Sequence, residues 1–157
     1  MTILGYRAAA DYPQEGRRGF LYPLGSGTLG YAWPAALGAQ RRAAGGAHAG
    51  GVSGDGGIAY ALAELASARQ YGLPTTPVLV DDGGYGILRE YQAAAYGAIH
   101  AVDLVQPDFA AVAEGFGLPV RACRAGDFAD ALVWGLDQPG PAVVLLRETL
   151  AFAEAAA

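Results

Sequence analysis

Hydrophobic and polar positions along this chain follow two periods, which divide it into candidate helices and strands. Residues 30–42 (GYAWPAALGAQRR) set Tyr31, Ala35 and Leu37 among small residues, which predicts a short helix whose first turn tolerates Pro34. Residues 45–57 (GGAHAGGVSGDGG) are rich in Gly and poor in apolar side chains. The run IAYALAELASARQYG then places Ile58, Leu62, Leu65 and Ala66 at helical spacing, with Gly72 and Pro74 as the stop. Glu64 falls in the middle of that helix, as a structural residue. TPVLVDD is a short apolar run ending in two acids, the pattern of a buried parallel strand with its polar residues at the carboxyl end.

After a GGYG turn and a mixed segment, Asp108 is set to cap a helix over DFAAVAEGFG, and PVRAC follows as a strand. Asp127 is set to cap DFADALVWGLDQ, and PGP turns the chain into AVVLLRE, apolar enough for burial on both faces. Alternating helices and apolar strands predict an α/β fold, a three-layer, mostly parallel sheet with helices on both faces. One domain over residues 20–150 is expected, with an N-terminal extension over 1–19 and an Ala-rich tail over 151–157 that frays.

Composition removes several classes of function. A chain of 157 residues with a net charge of -5 and no Lys/Arg run has no basic patch for nucleic acid. No stretch of about 18 apolar residues and no signal-type apolar segment occurs, so a cytoplasmic protein without membrane contact is expected. Charged residues make up 16% of the chain, against about 25% in typical globular domains, so part of the surface is expected to lie against another subunit or domain. Cys123 has no intrachain partner and reads as a structural thiol at a strand end. His48 and His100 lack a second His or Cys at ligand spacing and read as solvated or hydrogen-bonded residues.

The chemistry concentrates in GDGG, a helix, and a strand ending in DDGGYG. Asp55 stands at a loop-to-helix junction and Asp82 at a strand end, and a right-handed crossover returns both to one edge of the sheet. Two carboxylates suit Mg²⁺, which usually completes its octahedron with waters and the phosphates of a ligand. Gly56 and Gly57 expose N–H groups at a helix start, where a diphosphate is favoured. The plainer reading of Asp55 is a helix N-cap, and that of Asp81 a solvated strand end.

GDGGIAYALAELASARQYGLP and VLVDDGGYGILR, flanked by LGSGTLGYAWPAALGA, QPDFAAVAEGFG and GPAVVLL, resemble the C-terminal diphosphate-binding domain of thiamin diphosphate (ThDP)-dependent enzymes of the acetolactate synthase, benzoylformate decarboxylase and pyruvate decarboxylase group. The resemblance covers roughly residues 20 to 148. It implies metal-ligand oxygens from Asp55, Asp82 and the Gly84 carbonyl, and contacts from Gly54, Gly56 and Gly57 to the diphosphate. It implies that Leu29 supports the bent cofactor, with Thr28 beside it, and that the Gly27 carbonyl faces the aminopyrimidine. Tyr85, Gly86 and Ile87 fall near the thiazolium and the substrate; Leu29 and Ile87 are equally readable as core.

Two departures stand out. The pair Asp81 and Asp82 occupies positions where the family usually has two Asn, and GGAHAGGVS replaces a strongly apolar strand. Gly-rich sequence weakens a strand and raises the cost of ordering it, which leaves three readings open: a bulged or disordered edge to the site, a degenerate protein, or an altered sequence.

The resemblance implies a 2-oxo-acid decarboxylase or carboligase that works in a homo- or hetero-oligomer. A separate pyrimidine-binding domain or subunit would supply the activating Glu, since nothing in this chain matches that domain. The alternatives are a non-catalytic ThDP-binding or assembly subunit, and a Rossmann-type dinucleotide site built on Gly25, Gly27 and Gly30 after the run GFLYPL.

Overall fold

A computed structural model describes Gly5, residues 19–23, 25, 27–43 and 46–150. The expected extension over 1–19 lies outside these residues apart from Gly5 and Gly19, and the tail over 151–157 lies outside them entirely.

Four strands form one parallel sheet: β1 (Ala49–Gly54), β2 (Thr75–Asp81), β3 (Val120–Cys123) and β4 (Val143–Arg147), in the order β1-β2-β4-β3. The helices are α1 (Ala32–Arg42), α2 (Asp55–Ile58), α3 (Glu64–Tyr71), α4 (Gly86–Tyr96), α5 (Phe109–Gly115) and α6 (Phe128–Leu136). Alternation along the central strands builds the layers. Leu79, Val143 and Leu145 pack with Trp33, Leu37, Leu65, Phe109 and Ala113 of α1, α3 and α5, whereas Val78, Val80 and Val144 meet Ala131 and the partly buried Leu132 and Trp134 of α6. This is the three-layer α/β architecture that the sequence predicts.

The Gly-rich segment departs from expectation. Residues 49–54 form a regular strand, paired with β2 over six positions from Ala49↔Thr75 to Gly54↔Val80. Its glycines admit close packing, because a Cβ at Gly51 would stand 2.9 Å from the Ala32 carbonyl oxygen and 3.2 Å from Ala36 Cβ. Helix α1 lies almost directly on the strand backbone, and side chains there would push it away.

The helix expected from Ile58 to Tyr71 is interrupted. Its first turn, α2, begins at Asp55, a 3-10 turn covers Ala59–Ala61, and α3 starts only at Glu64, which therefore opens a helix and does not sit in the middle of one. Gly72, with a left-handed φ of 58°, ends α3 as the pattern predicts. Asp108 caps α5 by accepting from the N–H groups of Ala110 (3.0 Å) and Ala111 (3.2 Å). Asp127 holds the N-cap position of α6, but its side chain makes no capping bond, because a 3-10 turn over Ala125–Asp127 leads into the helix. Among the described residues no helix is long and apolar enough to cross a membrane.

Candidate functional site

Strands β1 and β2 are neighbours, so the segments that leave their carboxyl ends emerge side by side. From β1 comes Gly54 and then the buried turn Asp55, Gly56, Gly57 of α2; from β2 come Asp81, Asp82 and the loop Gly83–Tyr85. The two acids singled out in the sequence therefore meet at one rim of the sheet.

Asp55 is 1% exposed. Its Oδ1 accepts from its neighbour's N–H, Gly56, at 2.6 Å, and its Oδ2 accepts from the Gly83 N–H at 2.9 Å and from Gln106 Nε2 at 2.6 Å. The carboxylate thus ties two loops together, a different task from the simple N-cap. Burial first, then the charge of Asp55 and a hydrogen bond with its carboxyl, push Asp82 up to about 6, against the pull of Arg89. Two carboxyl groups brought this close are a donor set that a divalent cation satisfies, since a cation relieves their repulsion. Asp81 is also raised, by burial and then by Asp55, with Arg147 and the Gly83 N–H opposing.

Glycine is required where these loops close on one another. A Cβ at Gly56 would stand 2.6 Å from Cε1 of the Tyr85 ring, and one at Gly57 would stand 2.8 Å from Ser53 Oγ and 3.9 Å from Leu29 Cδ2. Leu29 is thereby placed against the first turn of α2, in a loop where Gly27 (φ 58°) and Gly30 (φ 79°) take left-handed conformations and Thr28 is exposed. The turn at Gly30 also delays α1, which starts at Ala32. At Gly30 a Cβ would meet Tyr60 Cβ at 2.9 Å, and a hydrogen bond to Tyr60 helps raise the Tyr85 hydroxyl above its ordinary value. Residues 27–30, 54–60 and 82–87 accordingly converge.

Gly84 (φ 151°) bridges to Asp103, a Cβ on it would collide with the Val102 carbonyl oxygen, and its own carbonyl accepts from the Gly86 N–H at 3.1 Å. Tyr85 N–H donates to the Val102 carbonyl at 2.8 Å, and Arg89 pairs with Asp103 at 2.7 Å, which fastens this strap across the start of α4. Gly86 and Ile87 are buried there. Ile87 is 5% exposed.

Other residues stand elsewhere. His48 Nε2 lies 2.8 Å from Thr76 Oγ1 at the amino end of β2, away from the acids, and burial lowers its pKa. His100 is exposed. Cys123 is half-buried at the end of β3, its thiol raised by burial and then by Asp127, as befits a structural residue. The described residues 19–23 form no strand, so the glycines at 25, 27 and 30 lack the strand that a dinucleotide fingerprint follows. Gln106 and Tyr60 were invisible in the sequence. The first lies in an irregular segment and the second inside an apolar pattern, and neither spacing announces a polar contact.

Among the described residues no group of three His, Cys, Asp or Glu gathers for a metal. A cation held here would draw its remaining oxygens from backbone carbonyls, water or a ligand's phosphates, as Mg²⁺ commonly does. The donor set and the Gly56–Gly57 cradle thus fit a metal with a diphosphate.

Fold and acid pair together define an α/β domain whose two acids meet at the carboxyl edge of its sheet, the edge at which open α/β sheets bind ligands. The family profile described as "Thiamine pyrophosphate enzyme, C-terminal TPP binding domain" matches residues 5–146, and the chain belongs to that family. It is 34% identical over 116 residues to an acetolactate synthase large subunit of Haemophilus influenzae, covering 70% of this chain and 19% of that protein. It is 35% identical over 131 residues to a putative acetolactate synthase large subunit of Mycobacterium tuberculosis, covering 77% of this chain and 25% of the relative. Among solved structures, the thiamine diphosphate-dependent 4-hydroxybenzoylformate decarboxylase of Rhodococcus jostii superposes with a TM-score of 0.68 at 32% identity, over 80% of this chain and 24% of that one. The chain thus spans a quarter or less of each of these proteins, and thiamin diphosphate is the ligand for which its domain family is named.

Proposed function

We propose that this chain anchors the diphosphate of ThDP through Mg²⁺, as one half of a 2-oxo-acid decarboxylase or carboligase of the acetolactate synthase type. The observation that carries the proposal is the Asp55–Asp82 pair, two carboxyl groups in hydrogen-bonding contact at adjacent strand ends with one of them raised to about 6. Such a pair is unfavourable alone and favourable around a divalent cation.

In this reading Asp55 and Asp82 hold the metal together with the Gly84 carbonyl. The amides of Gly56 and Gly57 face the diphosphate at the start of α2, where Gly54 leads the chain in. Leu29, between Gly27 and Thr28, supports the rest of the cofactor, and Tyr85, Gly86 and Ile87 border the reacting end. When bound, ThDP supplies the electron sink needed to break a carbon–carbon bond beside a ketone. The residues of this chain position it and keep its diphosphate end away from bulk water.

Turnover requires a pyrimidine-binding domain or subunit that brings an activating Glu, hence a homo- or hetero-oligomer in the cytoplasm. The relatives' much greater length and the exposed apolar side chains Leu88, Tyr91, Tyr96, Ile99 and Val105, on and just after α4, support a covered surface. Equilibrium dialysis against ThDP with Mg²⁺ or with a chelator tests the anchor: retention only with the metal is expected, and equal retention in both arms contradicts it. Release of CO₂ from pyruvate or benzoylformate, assayed with and without a candidate partner, separates the enzyme half from a non-catalytic assembly subunit. Activity of the chain alone would contradict the missing Glu.

A further inference from the structure

Strand register sets Arg147 of β4 directly beside Asp81 of β2. Adjacent strands stand about 4.8 Å apart and in-register side chains leave the same face, so a guanidinium and a carboxylate share the end of the sheet. Asp55 and Asp82 occupy that same end, which makes a rim of three acids. A diphosphate approaching them is itself an anion, and its complex with one divalent cation still carries net negative charge. A third carboxylate at position 81 is therefore a burden that a neutral Asn would not impose.

We infer that Arg147 is a positioning residue for the cofactor site: it offsets Asp81, so that the rim presents only the Asp55–Asp82 pair to the metal and still admits a diphosphate. The inference rests on the anchoring role proposed above. Arg147 is well held for this task. Its carbonyl accepts from Arg124 Nη1 at 2.8 Å, and the next residue, Glu148, donates its N–H to the Asp81 carbonyl at 3.2 Å, so β4 stays in register to the end of β2. The carboxylate that stands within ion-pair distance of the guanidinium is Asp108, whose Oδ1 lies 3.9 Å from Arg147 Nη2 and is already engaged with the N–H groups of Ala110 and Ala111; Asp81 is its neighbour by strand register. Arg147 is 48% exposed, so salt weakens its influence.

The test is a calorimetric titration of the full chain with ThDP at saturating Mg²⁺ and low ionic strength, for wild type, Arg147→Gln, Asp81→Asn and the double variant. Arg147→Gln is expected to weaken ThDP binding about five- to tenfold. The double variant returns to within about twofold of wild type. Asp108→Asn in place of Asp81→Asn gives no such rescue. Titrated with Mn²⁺ alone, Arg147→Gln binds more tightly than wild type, because removal of a cation deepens the negative potential; a misfolded variant would lose both ligands. Undiminished ThDP binding by Arg147→Gln, or a loss that Asp81→Asn leaves unchanged, overturns the inference while the anchoring role stands. A wild-type chain that binds no ThDP with Mg²⁺ overturns the anchoring role and this inference with it.

Discussion

The Gly83 N–H donates to Asp55 Oδ2 at 2.9 Å, joining the loop that follows β2 to the turn that follows β1. Gln106 Nε2 reaches the same oxygen at 2.6 Å from a third segment. Asp55 is thus a structural clamp as well as a candidate metal ligand, and the two roles separate experimentally. Asp55→Asn keeps an acceptor oxygen for Gly83 and Gln106, whereas Asp55→Ala orphans both donors at a cost of about 1–3 kcal/mol. Urea denaturation of the metal-free protein is expected to place Asp55→Ala below Asp55→Asn. Equal stabilities would show that the clamp contributes nothing.

Gly51 is the point at which α1 rests on β1. Gly51→Val places a side chain 2.9 Å from the Ala32 carbonyl and is expected to cost about 1–3 kcal/mol by forcing the helix outward. Val52→Ala on the neighbouring, half-exposed position changes stability by about 0.5 kcal/mol or less. Thermal denaturation of the two variants checks the contrast, and similar melting temperatures would contradict the close approach.

Asp82 titrates at about 6 in the folded chain against an ordinary 3.8, raised by burial, by the charge of Asp55 and by their hydrogen bond. Between those values the folded chain binds more protons than the unfolded one, so the metal-free protein loses stability as pH rises through that window. Mg²⁺ competes with the proton, so metal affinity falls as pH drops through about 6. Asp82→Asn flattens both dependences. Urea midpoints and Mg²⁺ titrations across the window check the signs, and a metal-free wild type that gains stability as pH rises would refute the raised Asp82 carboxyl.

The layered parallel sheet was legible in the sequence because β2 and β4 are apolar runs bounded by turn residues, and because Asp108 and Gly72 mark helix ends by local chemistry. Asp55 and Asp82 were legible as a meeting pair because a right-handed crossover leaves few ways to return. The pattern misjudged β1: apolar content measures how well a strand fills a core, and at Gly51 a helix backbone fills it. It also missed the break after Ile58 and the helix α4, whose buried face is little more than Gly86 and Ile87. Gln106 escaped because its partner is distant in sequence and hydrogen bonding has no period.

The most direct test of the anchor is calorimetric titration of the chain with ThDP in the presence of Mg²⁺, set beside the same titration of Asp55→Asn, which keeps the clamp. Saturable, Mg²⁺-dependent binding by the wild type and its loss in the variant are the predicted results. Binding that survives the substitution, or a wild type that takes up no ThDP with Mg²⁺, would contradict the assignment of Asp55 and Asp82 as the metal anchor.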